Sequence, residues 1–147
     1  MTKLTVFLDA DVVFAGSAAP TEHSASHVVL QLGELTLVDC VTSQQVVTEV
    51  ERNLAAKLPN KLPELQLILS RSLRTVPDPR PQEIHAYTGQ ADPKDLPILV
   101  AAIQTGCPYL LTFNIRHFAP TAAELTIQRP GEFVKTVRTL LSQLSQT

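Results

Sequence analysis

Apolar and polar positions along the 147-residue chain switch between a short and a helical period. The run "LTVFL", residues 4–8, is apolar and rich in strand formers and ends at Asp9, so it reads as a first strand. Beyond the turn-like "AGSAAPTE" (15–22), Ala25, Val28, Val29 and Leu32 follow helical spacing, with Gly33 placed as a stop. "LTLVDC" (35–40) reads as a second strand. Ser43 can cap a helix "QQVVTEVERNLAAKL" (44–58) that ends before Pro59, and "LPELQLILSRSL" (62–73) forms another, with Leu62, Leu65, Ile68 and Leu69 inward. The Pro-rich "VPDPRPQEI" (76–84) is a connector. "DPKDLPILVAAIQTG" (92–106) starts a helix that stops at Gly106; Pro97 favours Asp95 over Asp92 as its cap. "PYLLTFN" (108–114) and "LTIQ" (125–128) are strands, and "PGEFVKTVRTLLSQL" (130–144) is a closing amphipathic helix.

Strands alternating with helices predict an α/β fold in which a parallel sheet is covered on both faces. The length suits one domain over residues 1–147, enough to bury about two thirds of the unfolded surface. With 44% hydrophobic and 18% charged residues and a formal net charge of −2, bulk electrostatics does not mark a nucleic-acid binder, so any such contact needs a local patch. Lys3, an apolar run and "AGSAA" resemble a secretory leader, but Asp9 and Asp11 interrupt the apolar part. The expectation is a cytoplasmic protein, and no run is long enough to span a bilayer. Cys40 and Cys107, in apolar surroundings without Cys-x-x-Cys spacing, are expected to be reduced core residues, and a zinc site is not expected. There is no G-x-G-x-x-G, Walker loop, H-E-x-x-H or G-x-S-x-G.

In an open parallel sheet, ligands bind beyond the carboxyl ends of the strands. Asp9 follows the first strand, Asp95 opens a helix and Asn114 follows "YLLTF", so all three point to one rim. On the helix carrying "VVTEVERNL", Glu49 lies roughly 60° from Val46, at the edge of the apolar face. Carboxylates brought together raise one another's pKa, and a hard cation relieves the conflict. Magnesium fits, because it takes one or two carboxylates and keeps room for substrate phosphate. Each residue also has a bland reading. Asp92 and Asp95 suit a helix start, Glu49 a solvated helix face, and Asn114 and Asp11 turn formation. His117 reads as a structural histidine, and the i, i+4 pair His23 and His27 lacks a third ligand.

The ordered set "FLDADV", "TSQQVVTEV", "DPKDLPILVAA", "LLTFNIRHF" and "IQRPGEFV" resembles the PIN-domain family of metal-dependent ribonucleases over nearly the full chain. The resemblance implies a three-layer α/β/α sandwich with a central parallel sheet and an acidic pocket for Mg²⁺ or Mn²⁺. By position, Asp9 and Asp95 would be principal metal ligands, Glu49 a ligand or supporting group, and Asn114 a ligand or water-positioning residue. Asp92 would assist and Thr112 would orient the site. Asp11 stands where Asn is frequent and Asn114 where many members have Asp. The implied reaction is hydrolysis of RNA phosphodiesters by a water activated on the ion. Arg52, Lys94 and Arg116 are placed by the motifs to meet the RNA backbone, although each also reads as an ordinary surface charge. Many small bacterial members that look like this are toxins of toxin–antitoxin pairs and commonly homodimeric, so the resemblance implies an antitoxin partner and a homodimer.

Two other classes compete. A PIN-like module that only binds RNA or protein is disfavoured by the retained Asp9, Glu49 and Asp95, while Asn114 leaves room for it. A phospho-acceptor signalling domain needs a basic residue after a late strand, and the only lysine after Lys94 is Lys135, inside the last helix.

Overall fold

A computed structural model describes residues 3–19, 24–121 and 124–145. Its order is β1 (Leu4–Leu8), α1 (Ala10–Ala18), α2 (Ala25–Glu34), β2 (Val38–Ser43), α3 (Gln44–Lys57), α4 (Leu62–Arg71), β3 (Leu73–Val76), α5 (Pro81–His85), α6 (Leu96–Thr105), β4 (Tyr109–Leu111), β5 (Thr126–Gln128) and α7 (Pro130–Leu144). The strands form one sheet in the order β3-β2-β1-β4-β5, with every pairing parallel. The architecture is the expected three-layer α/β/α sandwich.

The chain steps from β1 to β2 to β3 in one direction, then returns past β1 to β4 and β5. Right-handed crossovers therefore put the helices before β3 on one face and those between β3 and β4 on the other. Helix packing agrees: α1 packs on α2, α3 and α4, whereas α5 packs on α6. Reversal of strand order leaves a crevice between the carboxyl ends of β1 and β4, where such sheets bind ligands. The core on both sides is aliphatic. Val6, Phe7 and Leu8 of β1 are fully buried, as are Leu99 and Val100 of α6 and Phe133 of α7. Cys40 and Cys107 are free and buried, as expected, and burial pushes both thiols up to about 12.

Several elements differ from the sequence expectation. Residues 10–18, partly read as a turn, form α1, a helix apolar nearly all round that gives no two-faced pattern to detect. The second strand begins at Val38 rather than residue 35, and Leu35 and Leu37 are exposed in the turn before it. Residues 73–76, of which the sequence places 73 at a helix end and 76 in the connector, form edge strand β3, and the connector holds the short α5. His23, and with it the His23–His27 spacing, lies outside the described residues.

Gly33 does not stop α2. The helix ends one residue later, at Glu34, closed by Leu37 N–H donating to the Leu32 carbonyl at 3.0 Å with Thr36 in the left-handed conformation, φ 63°. What requires glycine at 33 is proximity: an added Cβ would stand 2.6 Å from the Ser72 carbonyl oxygen and 3.0 Å from Cys40 Sγ. Two substitutions in this turn should thus have opposite signs. Gly33→Ala should destabilise by about 1–3 kcal/mol through overpacking. Thr36→Gly should stabilise by up to about 1 kcal/mol by relieving the left-handed residue. Urea denaturation midpoints of the two variants check both signs.

Candidate functional site

Asp9 ends β1 and caps α1. Its backbone N–H donates to the Leu111 carbonyl at 3.0 Å, tying it to the end of β4, and its Oδ1 accepts the Ala10 N–H at 2.7 Å. The other oxygen, Oδ2, accepts the Thr112 hydroxyl at 2.9 Å. The side chain is only 7% exposed, which desolvates the carboxylate, and Asp11 stands nearby. Burial first, then the Asp11 charge, raise the Asp9 pKa to about 7 despite the hydrogen bonds from Ala10 and Thr112.

Asp11 occupies the first turn of α1 rather than a loop. Its Oδ2 accepts from Phe113 N–H at 2.9 Å, Asn114 Nδ2 at 3.3 Å and the Thr112 hydroxyl at 3.4 Å. Oδ1 is buried and, among the described residues, makes no hydrogen bond. Burial also raises the pKa of Asp11.

Ser43 caps α3 as expected, its hydroxyl accepting from Val46 N–H at 3.4 Å. With Val46, Val50 and Leu54 buried, Glu49 is left half-buried at the edge of that face. Asp78, from the Pro-rich connector, accepts the Gln45 N–H at 2.8 Å and so fixes the same helix start. Asp95 stands at the N-cap position of α6, but its side chain makes no capping bond. Instead its Oδ2 lies 2.9 Å from His117 Nδ1, with Asp92 Oδ2 at 3.6 Å from the same nitrogen.

These elements enclose a cleft of about 540 Å³ at the β1/β4 crevice. Asp9, Glu49, Asp95 and Asn114, named from the sequence, all line it, as do Arg52 and Lys94. Thr112 is fully buried and touches the cleft through Asp9. Asp92 and Arg116 are exposed and do not line it. Six further residues line the cleft: Asp11, which in sequence suits a turn; His117, which reads as structural; and Ala10, Gln45, Thr48 and Asp78, to which the sequence gives no role. The "D-A-D" spacing was the only visible signal for Asp11, because helix α1 that turns both acids to one side was not foreseen.

Four carboxylates, Asp9, Asp11, Glu49 and Asp95, thus share one cleft, and among the described residues none of them has a salt bridge to Lys or Arg. A divalent cation fits this donor set: it is all oxygen apart from His117, includes among the described residues a buried carboxylate atom without a hydrogen bond, and contains one acid, Asp9, whose pKa burial and the neighbouring Asp11 raise to about 7. One atom each of Asp92, Asp95 and His117 also lie within 4.8 Å of one another.

The sequence matches the PIN domain family over residues 5–116. No curated protein matches it. Among solved structures, the fold is similar to a chain in the crystal structure of VapBC2 from Rickettsia felis bound to a DNA fragment from their promoter. The TM-score is 0.63 at 18% identity, covering 86% of this chain and 98% of that one.

The Asp9 shift fixes a pH dependence. Its folded pKa, about 7, exceeds the ordinary 3.8, so the folded protein holds a proton the unfolded chain releases. That contribution is fully present below pH 3.8 and is lost as pH rises through about 7. In chelator, the wild-type melting temperature should fall between pH 5 and pH 8, and Asp9→Asn should flatten the fall. Thermal melts at both pH values check this, and equal slopes would contradict it.

Proposed function

This chain belongs to the PIN-domain family, and from that premise we propose that it is a metal-dependent endoribonuclease acting at the β1/β4 cleft. The observation that carries the reading is the gathering of Asp9, Asp11, Glu49 and Asp95 around one cleft without, among the described residues, a lysine or arginine salt bridge to any of them. Asp9, Asp95 and Glu49 would hold Mg²⁺ or Mn²⁺, with Asn114 beside them.

The ion, when bound, supplies Lewis-acid stabilisation of charge developing on a phosphodiester and lowers the pKa of an attacking water. The chain's own residues supply the rest. Thr112 fixes the Asp9 carboxylate, and His117 fixes that of Asp95. Asn114 offers an amide to orient water or substrate. Arg52 and Lys94 stand at the cleft to meet the RNA backbone, while Arg116, outside the lining, would engage only more distant phosphates.

The likeness to a VapBC2 chain and the ordered motifs support a toxin role with an antitoxin protein as partner, and we further propose a homodimeric state and a cytoplasmic location. No helix among the described residues is long and apolar enough to cross a membrane. We also propose that residues 1–147 act as one domain.

Cleavage of defined RNAs by purified protein should require Mg²⁺ or Mn²⁺ and stop in chelator. Asp9→Asn and Asp95→Asn should each reduce it by more than about 100-fold while circular dichroism keeps the native spectrum. Unchanged cleavage by both variants overturns the assignment; no cleavage by the wild type, with RNA binding retained, favours the inactive binding module.

Replacing Arg52 or Lys94 by Ala should weaken RNA binding and flatten the slope of log K against log salt by about 0.7 for each phosphate contact removed. Titrations at several salt concentrations measure this. Arg116→Ala should change the slope less than either.

A further inference from the structure

Asp11 and Asn114 come from opposite ends of the chain and meet in the cleft, where Asn114 Nδ2 donates to Asp11 Oδ2 at 3.3 Å. The acid is on the side where the backbone favours it. Asp11 lies in the first turn of the nine-residue α1, at the positive end of the helix dipole, which stabilises negative charge. Asn114 precedes only a three-residue 3₁₀ turn, Ile115–His117. The same Asp11 oxygen takes the Phe113 N–H at 2.9 Å, so this carboxylate holds the loop that carries Asn114. Among the described residues its second oxygen makes no hydrogen bond, although the Val12 N–H offsets part of the cost of burying the carboxylate.

We infer that Asp11 and Asn114 form one acid–amide pair, in which Asp11 both positions the 112–114 loop and supplies the negative charge that the amide at 114 does not. This rests on reading the cleft as a divalent-cation site. Asp11 is then a positioning residue whose charge belongs to the pair as a unit. One acid and one amide are required at this point, and the two can be exchanged across their hydrogen bond. Two acids would face each other at hydrogen-bond distance, and two amides would remove a charge from the cleft.

The test is a four-member cycle: wild type, Asp11→Asn, Asn114→Asp and the double variant D11N/N114D, all full-length and at one pH near 8. In chelator, Asn114→Asp should lower the melting temperature of the wild type but not of the Asp11→Asn protein. An equal effect in both backgrounds overturns the pairing without reference to any ion. In Mn²⁺ calorimetry, Asp11→Asn should bind about tenfold more weakly or worse. The double variant should recover to within about threefold of wild type. A double variant as weak as the single, or Asp11→Asn binding like wild type, overturns the charge assignment. If Asp11→Asn does not fold, the double variant decides: folding with near-native affinity supports the pair, and failure of either overturns it. A wild type that binds no Mn²⁺ defeats the cation-site reading and the charge assignment, while the melting cycle still decides the pair.

Discussion

The constraint on which the site depends is the confinement of like charge at the β1/β4 crevice. Carboxylates in partial burial repel one another and lose hydration, so each needs a compensating interaction from the backbone that carries it. Asp9 receives the first amide of α1 and the buried hydroxyl of Thr112. Asp11 takes the amide of Phe113. These donors come from the ends of two neighbouring parallel strands, and the Asp9 N–H to Leu111 carbonyl bond fixes the two ends together. The raised pKa of Asp9 shows that compensation is incomplete. Arg52 and Lys94 line the same cleft, but among the described residues neither forms a salt bridge to these acids, so the clustered carboxylates suit a cation.

The fold was legible in the sequence wherever period and punctuation agreed. Helix α7 coincides with its predicted span, 130–144, because an amphipathic stripe follows a Pro start. Ser43 was recognisable as a cap because a hydroxyl residue precedes a helical pattern. Legibility failed where burial erased the pattern. Helix α1 has Val12, Val13 and Gly16 buried and is apolar on most sides, so no polar face marks it. Edge strand β3 is four residues long, too short for alternation to identify, and borders a Pro-rich segment. The four acid and amide positions Asp9, Glu49, Asp95 and Asn114 could be assigned to one rim because strand ends and helix starts alternate there. Asp11 could not, because its direction depends on the helix that was missed. His117 could not either, since a lone histidine carries no sign of the carboxylate it meets.

Several residues at the rim serve architecture and site together. Asp9 caps a helix and lines the cleft. Asp78 holds the α3 amide of Gln45 and stands in the same wall. Ser43 and Asp78 both act at the first turn of α3, and at 1.5 Å rise per residue Glu49 lies only about 9 Å along the axis from the Ser43 cap. The bearing of Glu49 on the cleft is therefore set by the helix start, with Val46, Val50 and Leu54 fixing its rotation.

Asp95 is the exception, and packing explains it. At the N-cap of α6 its carboxylate would ordinarily bond to a helix amide, an interaction worth about 1 kcal/mol. Here it turns to His117 instead. Helix α6 does not depend on that cap, because Leu96, Ile98, Leu99 and Val100 are buried one after another. Each such side chain contributes about 1.5–3 kcal/mol on burial, so the four outweigh the cap several-fold. Pro97 near the helix start also removes one amide that would have needed an acceptor. A helix secured by its core in this way leaves its terminal carboxylate free to face the cleft. At α1 the corresponding carboxylate, Asp9, does bond to the first helix amide and lines the cleft as well, so it serves as both cap and wall.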